Sequence, residues 1–187
     1  NVVVGLEFIR QIFKLAPVLP LESVRDWAAL GMKLIIPNSL GKPDYVATME
    51  YLRTSPAILR NIEHPAVREK VVSLCLVLAE HSPESSMMWL AESPDLLRTL
   101  PSLEWRIRLL QFGALLAEKH ADVTLEYLRR APELVRLIGH GPDAFTRFEN
   151  WFKAGMEVAA YSPDGARAYF LVESRKALAS VELALSG

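Results

Sequence analysis

Proline recurs in this chain at a fixed interval, and each copy stands five residues after an aromatic side chain. Tyr51 precedes Pro56-Ala57-Ile58-Leu59, Trp89 precedes Pro94-Asp95-Leu96-Leu97, and Tyr127 precedes Pro132-Glu133-Leu134-Val135. The interval from Pro56 to Pro94 equals the interval from Pro94 to Pro132. A worn copy, Ala16-Pro17-Val18-Leu19, lies almost the same distance before Pro56, and Tyr169-Phe170 with Ser174 begins a slightly longer interval after Tyr127. A unit of this length cannot bury its apolar face alone, and stacking against its neighbours supplies a continuous core. The repeat therefore predicts an all-α protein. Its expected form is a right-handed α-solenoid of four to five HEAT/armadillo-like repeats of about 38–42 residues, filling residues 1–187 as a single repeat domain.

Apolar residues at Phe8, Ile9, Ile12, Phe13 and Leu15 have helical spacing, and Pro17 and Pro20 end that helix. A second helix is expected from about Leu21 to Ile36, with Val24, Trp27, Ala28, Gly31, Leu34 and Ile35 inward. Pro37-Asn38-Ser39 and Gly41-Lys42-Pro43 make a loop. Beyond it each unit reads as two short helices and a long one. The first short helix opens at Lys42-Pro43-Asp44, Ser82-Pro83-Glu84, His120-Ala121-Asp122 and Ser162-Pro163-Asp164. Serine as N-cap, proline at the first helical position and a carboxylate in the first turn satisfy orphan N–H groups and the positive end of the dipole. Ser55-Pro56 and Ser93-Pro94 are expected to open the second short helix and to kink the pair, since proline lacks the N–H. The long helices run Ala66–His81, Ser102–His120 and Asp143–Tyr161.

Aligning the long helices places Gly31, Cys75, Gly113 and Gly155 at one register. Pro83, Ala121 and Pro163 each follow their register residue by eight positions, and Pro43 follows Gly31 by twelve. Glycine inside a helix costs about 1 kcal/mol relative to alanine. Its recurrence predicts helix crossings where a neighbouring backbone comes close, with Cys75 acting as a small hydrophobe.

Composition narrows the function classes. Half the residues are apolar, 51%, and the formal net charge is −1, so no global attraction to nucleic acid or anionic membrane is expected. Val71 to Ala79 is too short an apolar run to span a bilayer. The lone Cys75 excludes an intrachain disulfide and fits a reducing compartment, so the cytoplasm is the expected location. The chain starts without Met and ends on a helical pattern, and is read as a piece of a longer protein.

No candidate chemistry is complete. The histidines, His64, His81, His120 and His140, form no His-x-x-x-His pair, and no Cys-x-x-Cys occurs, so no metal is expected. Cys75 has no paired base, and glycine-rich phosphate loops and Gly-x-Ser-x-Gly are absent from the sequence. Neither catalytic residues nor a cofactor are expected. Tyr51, Trp89, Tyr127 and Tyr169 recur as core packing residues, or as an exposed binding stripe. Arg60, Arg98 and Arg136 recur nine residues after their aromatics. They either close short helices or form a basic row that engages carboxylates on a partner. Glu104, Glu126 and Glu133 lie among them, which disfavours a phosphate-tracking surface.

Ser82-Pro83-Glu84 with Trp89-Leu90, Ser93-Pro94 and Leu96-Leu97, and the run Tyr161-Ser162-Pro163-Asp164-Gly165-Ala166-Arg167-Ala168-Tyr169-Phe170-Leu171-Val172-Glu173-Ser174, resemble helical-repeat regions of NorD/CbbO-like proteins. The resemblance covers most of residues 43 to 187. It implies repeats that precede a C-terminal von Willebrand A domain in a protein that works with a MoxR-type AAA+ ATPase as activator or adaptor. No Asp-x-Ser-x-Ser metal motif occurs in this sequence, so the resemblance carries over no metal or catalytic residue. The expected function is a non-catalytic protein-interaction scaffold that docks the ATPase or its client enzyme. A nucleic-acid-binding solenoid and a helical enzyme with a small-molecule pocket are the alternatives.

Overall fold

Asn1 begins the fold by capping the first helix, its side chain accepting from the Val3 amide. In the computed structural model, which describes residues 1–37, 43–139 and 141–172, α1 spans Val2–Leu15 and α2 spans Leu21–Lys33. A minimal antiparallel ladder follows, with Ile36 of β1 (Ile36–Pro37) opposite Asp44 of β2 (Pro43–Asp44). Then come α3 (Val46–Arg60), α4 (Pro65–His81), α5 (Pro83–Arg98), α6 (Leu103–Arg129) and α7 (Ala131–Ile138). The last elements are α8 (Ala144–Tyr161), α9 (Pro163–Arg167) and a π-helical turn, Ala168–Val172. The protein is all-α. The chain falls into two compact units, Asn1–Ala114 and a second beginning at Leu115.

The expected caps form at Ser82, which accepts from Ser85 N at 3.1 Å, and at Ser162, which accepts from Gly165 N at 3.1 Å. Pro43 departs from that pattern. It sits in β2, and Asp44 accepts from Val46 N at 2.9 Å to start α3. His120 has φ −139° and ψ 64°, so α6 is two helices abutting at the residue where the sequence placed a break.

The Ser-Pro pairs correct the sequence reading. Neither Ser55-Pro56 nor Ser93-Pro94 opens a helix: α3 and α5 run through Pro56 and Pro94. The physical reason is visible at Ser93. Pro94 removes the N–H that would have met the carbonyl of Leu90, and the Ser93 hydroxyl donates to that carbonyl at 3.0 Å instead. At the equivalent position Ser55 accepts from Trp27 Nε1 at 2.8 Å. Both serines are completely buried, which a solvent-facing cap would not be.

Within the first unit α1 packs on α3, α3 on α5, α2 on α4, and α4 on α5. Trp27, Tyr51 and Trp89 fill the space between them with no exposed surface. A hydroxyl bond recurs in that packing. Thr48 donates to the Gly31 carbonyl at 3.2 Å and Ser86 to the Cys75 carbonyl at 2.7 Å, from positions one repeat apart. The glycine register therefore marks where consecutive helices are tied together. At Gly31 and Gly155 what lies closest is aromatic rather than backbone, which corrects the expected cause at those two positions, whereas the Cys75 Sγ lies 3.8 Å from the Ser86 backbone carbonyl. A methyl carbon added to Gly31 would lie 2.7 Å from Phe8 Cζ, and one added to Gly155 would lie 2.5 Å from Phe170 Cζ.

The second unit is organised around α8. Trp151 stacks on Tyr169 with centroids 5.7 Å apart and meets Phe170 edge-on at 5.3 Å. The Tyr127 ring joins the same cluster, 6.5 Å from Trp151. His120 is buried, and its Nε2 lies 3.0 Å from the Ala159 carbonyl. Thr124 donates to the His120 carbonyl at 2.9 Å, at the bend.

Candidate interaction groove

The arginines singled out by the repeat reach backbone carbonyls. Arg60 Nη2 donates to Lys14 O at 2.9 Å, at the end of α1. Arg98 Nη2 donates to Asn61 O at 3.4 Å, at the end of α3, and its Nη1 pairs with Asp95 at 2.6 Å. Arg136 Nε donates to Pro132 O at 3.3 Å in its own helix. Carbonyls at helix C-termini lack intrahelical partners, so the bonds of Arg60 and Arg98 close helices. All three side chains remain exposed. Each guanidinium has five donors, which leaves capacity for a further acceptor.

A second arginine set recurs that sequence reasoning missed. Arg68 Nε donates to Ile62 O at 2.6 Å, Arg106 Nη2 to Leu100 O at 3.5 Å, and Arg147 Nη2 to Ile138 O at 2.6 Å. The acceptors are equally spaced in sequence, at the C-terminal ends of α3, α5 and α7. The signal was present, since Arg68 and Arg106 are separated by the same repeat interval, but it was hidden behind the more regular row nine residues after the aromatics.

The aromatic set lies in the core. Tyr51, Trp89 and Tyr127 are buried and Tyr169 is half-buried. His64 caps α4 through Nδ1, which accepts from Ala66 N at 3.2 Å, and His81 is exposed at the end of the same helix. His140 lies outside the described residues. Among the described residues no group of three His, Cys, Asp or Glu side chains could hold a metal ion. None of their helices is long and apolar enough to cross a membrane. Burial pushes the Cys75 thiol from 9.0 up to about 12, the opposite of what a nucleophile needs.

One surface feature has both shape and chemistry. Between α3 and α5 runs an open groove of about 470 Å³. One wall is the α3 face Ala47, Glu50, Thr54 and Ile58, residues that recur every three or four positions and so share a side of the helix. The other wall is the α5 face Pro83, Glu84, Met87, Met88 and Ala91, and Leu34 and Leu90 lie beneath. Leu34 and Leu90 are buried, whereas Met88 keeps 45% of its surface. Glu50 and Glu84 are the ionisable groups of the lining, both exposed. Neither carboxylate forms an ion pair among the described residues. Arg53, one turn along α3, is not in that lining but shares an adjoining hollow with Glu50 and Thr54, beside Tyr45, Val46 and Met49. The groove is thus apolar in its floor, adaptable through two methionines and negative along its walls.

Fold and groove define the class no further than a helical protein with an apolar, acidic-walled trough. No family model, curated protein or solved structure matches the chain.

Proposed function

We propose that this chain is a non-catalytic protein-interaction scaffold, a right-handed α-solenoid of four to five HEAT/armadillo-like repeats. The observation that carries the reading is the open groove between α3 and α5, formed by helices that occupy equivalent positions in consecutive repeats. Stacked repeats bury their aromatics inward and leave paired outer faces free, which is how solenoids present extended binding surfaces. Recurrence of the Thr48–Gly31 and Ser86–Cys75 bonds supports the stacking. The negative walls of the groove disfavour nucleic acid, whose phosphates require positive charge.

By its resemblance to NorD/CbbO-like repeats, the partner is a MoxR-type AAA+ ATPase or the client enzyme it remodels, and the setting is the cytoplasm. Arg60, Arg98 and Arg136 are the candidate row for carboxylates on that partner. Calorimetric titration of the ATPase with the chain tests the reading. Saturable binding, with no ATP hydrolysis by the chain alone, supports it. A flat titration overturns the ATPase assignment, and hydrolysis by the chain alone overturns the scaffold.

A further inference from the structure

We infer that the α3–α5 groove receives a basic amphipathic helix of a partner protein. The inference deepens the scaffold reading and rests on it. Shape is the first ground. From Ala47 to Ile58 the α3 wall covers eleven residue steps, about 16 Å at 1.5 Å per residue, or three helical turns. A trough between two packed helices accepts a third helix by the same ridge-and-groove fit that packs helices together.

Backbone chemistry is the second ground. Past the first turns of α3 and α5 the walls are helical interior, so most of their N–H and C=O groups are already paired along the helix. An extended segment lying in this apolar trough would leave its own backbone groups without partners. A helix brings its backbone satisfied.

Charge supplies the third. Glu50 on one wall and Glu84 on the other carry negative charge with no cation in the lining. An occupant with Leu, Ile, Met or Phe at i, i+4 and i+7 would fill the floor over Leu34 and Leu90, against Met87 and Met88 of the wall. Lys or Arg on its flanks would meet the two carboxylates. Methionine side chains adapt to differing apolar shapes, so selection among partners falls mainly to charge.

The probe is a synthetic helical peptide of about four turns, long enough to cover the wall, with leucines on one face and lysines on its flanks. Two controls accompany it, one with glutamate replacing every lysine and one with serine replacing every leucine. Fluorescence anisotropy of the labelled peptides against the chain is expected to show saturable one-to-one binding of the basic peptide only. Glu50→Lys with Glu84→Lys should weaken it tenfold or more. Both positions are exposed, and a thermal melt matching the parent establishes that the fold survives. Ala91→Trp, also at an exposed wall position, should block binding by filling the trough.

Equal binding of the acidic peptide, or basic-peptide binding unchanged by both variants, overturns the proposal. So does an absence of binding. Sedimentation that shows self-association broken by Ala91→Trp overturns it too, by making a second copy of the chain the occupant. Failure here is separable from failure of the scaffold. ATPase binding that Ala91→Trp leaves intact removes the groove and keeps the scaffold, whereas peptide binding without ATPase binding keeps the groove and removes the ATPase.

Discussion

The hydroxyl of Tyr51 donates to the carbonyl of Trp27 at 2.9 Å, while its ring stacks on the Trp27 indole with centroids 5.5 Å apart. Tyr169 and Trp151 repeat the arrangement, with a hydroxyl bond of 2.8 Å and stacking at 5.7 Å. Packing and hydrogen bonding are therefore separable at one residue. Tyr51→Phe removes the bond and keeps the ring, and should cost about 0.5–1.5 kcal/mol. Tyr51→Ala also removes the ring from a fully buried site, at about 3–5 kcal/mol. Urea denaturation of both variants checks this. Equal losses would mean that the ring contributes nothing beyond the hydroxyl.

Two glycines inside helices should respond oppositely to alanine. Gly5 in α1 has nothing within 4 Å of an added methyl carbon, so Gly5→Ala should stabilise by roughly 0.5–1 kcal/mol through backbone entropy. Gly155 in α8 would place that carbon 2.5 Å from Phe170 Cζ and 2.6 Å from Tyr169 Cε1. Those rings are held in a cluster with Trp151, so Gly155→Ala should destabilise by about 1–3 kcal/mol through overpacking. Thermal melts of the pair decide it. A Gly155→Ala melt at or above the parent would show that the rings yield freely.

The contrast shows what was legible in the sequence. Period fixes which residues are equivalent, so the repeat picked out the small-residue register and the inward aromatics. Pro56 and Pro94, which set its interval, lie inside α3 and α5 rather than at helix starts. Period does not say what an equivalent residue touches. The partner of Gly155 is an aromatic ring because Tyr169 and Phe170 come from a later element, and no local spacing encodes that approach. Ser93-Pro94 misled for a related reason. Locally it has the chemistry of a helix start, and only the carbonyl of Leu90 one turn earlier makes it a repair within a helix. The groove was not legible at all. Ala47 to Ile58 and Pro83 to Ala91 are unremarkable faces until α3 and α5 lie side by side.

Cys75 should be chemically silent in the native protein. Burial raises its thiol to about 12, and little thiolate forms at pH 8. A disulfide reagent such as Ellman's should react slowly without denaturant and fully with it. Burial also raises Tyr51 well above its ordinary value and Tyr169 to about 12. These groups ionise more readily when unfolded, so above pH 9 the unfolded chain loses more protons than the folded one. Their contribution to stability is complete below about pH 9 and is lost progressively toward pH 12. Denaturation midpoints measured from pH 8 to 11 should fall, and a rising midpoint would contradict the burial of these groups.

The two arginine sets should separate folding from binding. Arg68 is half-buried and holds the carbonyls of Ile62, Val18 and Glu63 at 2.6, 3.1 and 3.2 Å. Arg68→Ala leaves these carbonyls without their charged donor and should cost about 1.5–3 kcal/mol. Arg68→Lys should recover little, because one ammonium on a flexible stem cannot reproduce the planar fork that reaches all three. Arg60, Arg98 and Arg136 are exposed, and each replacement by alanine should move stability by only about 0.5 kcal/mol. If that row meets carboxylates on the proposed AAA+ ATPase, the triple change weakens binding to it tenfold or more, about 1.4 kcal/mol, without unfolding the chain. Titration of the ATPase against parent, triple variant and Arg68→Ala, with a melt of each, distinguishes the roles. Unchanged binding by a folded triple variant would confine Arg60, Arg98 and Arg136 to their backbone carbonyls. A large loss of stability in that variant would do the same, since the carbonyl bonds would then be their main work.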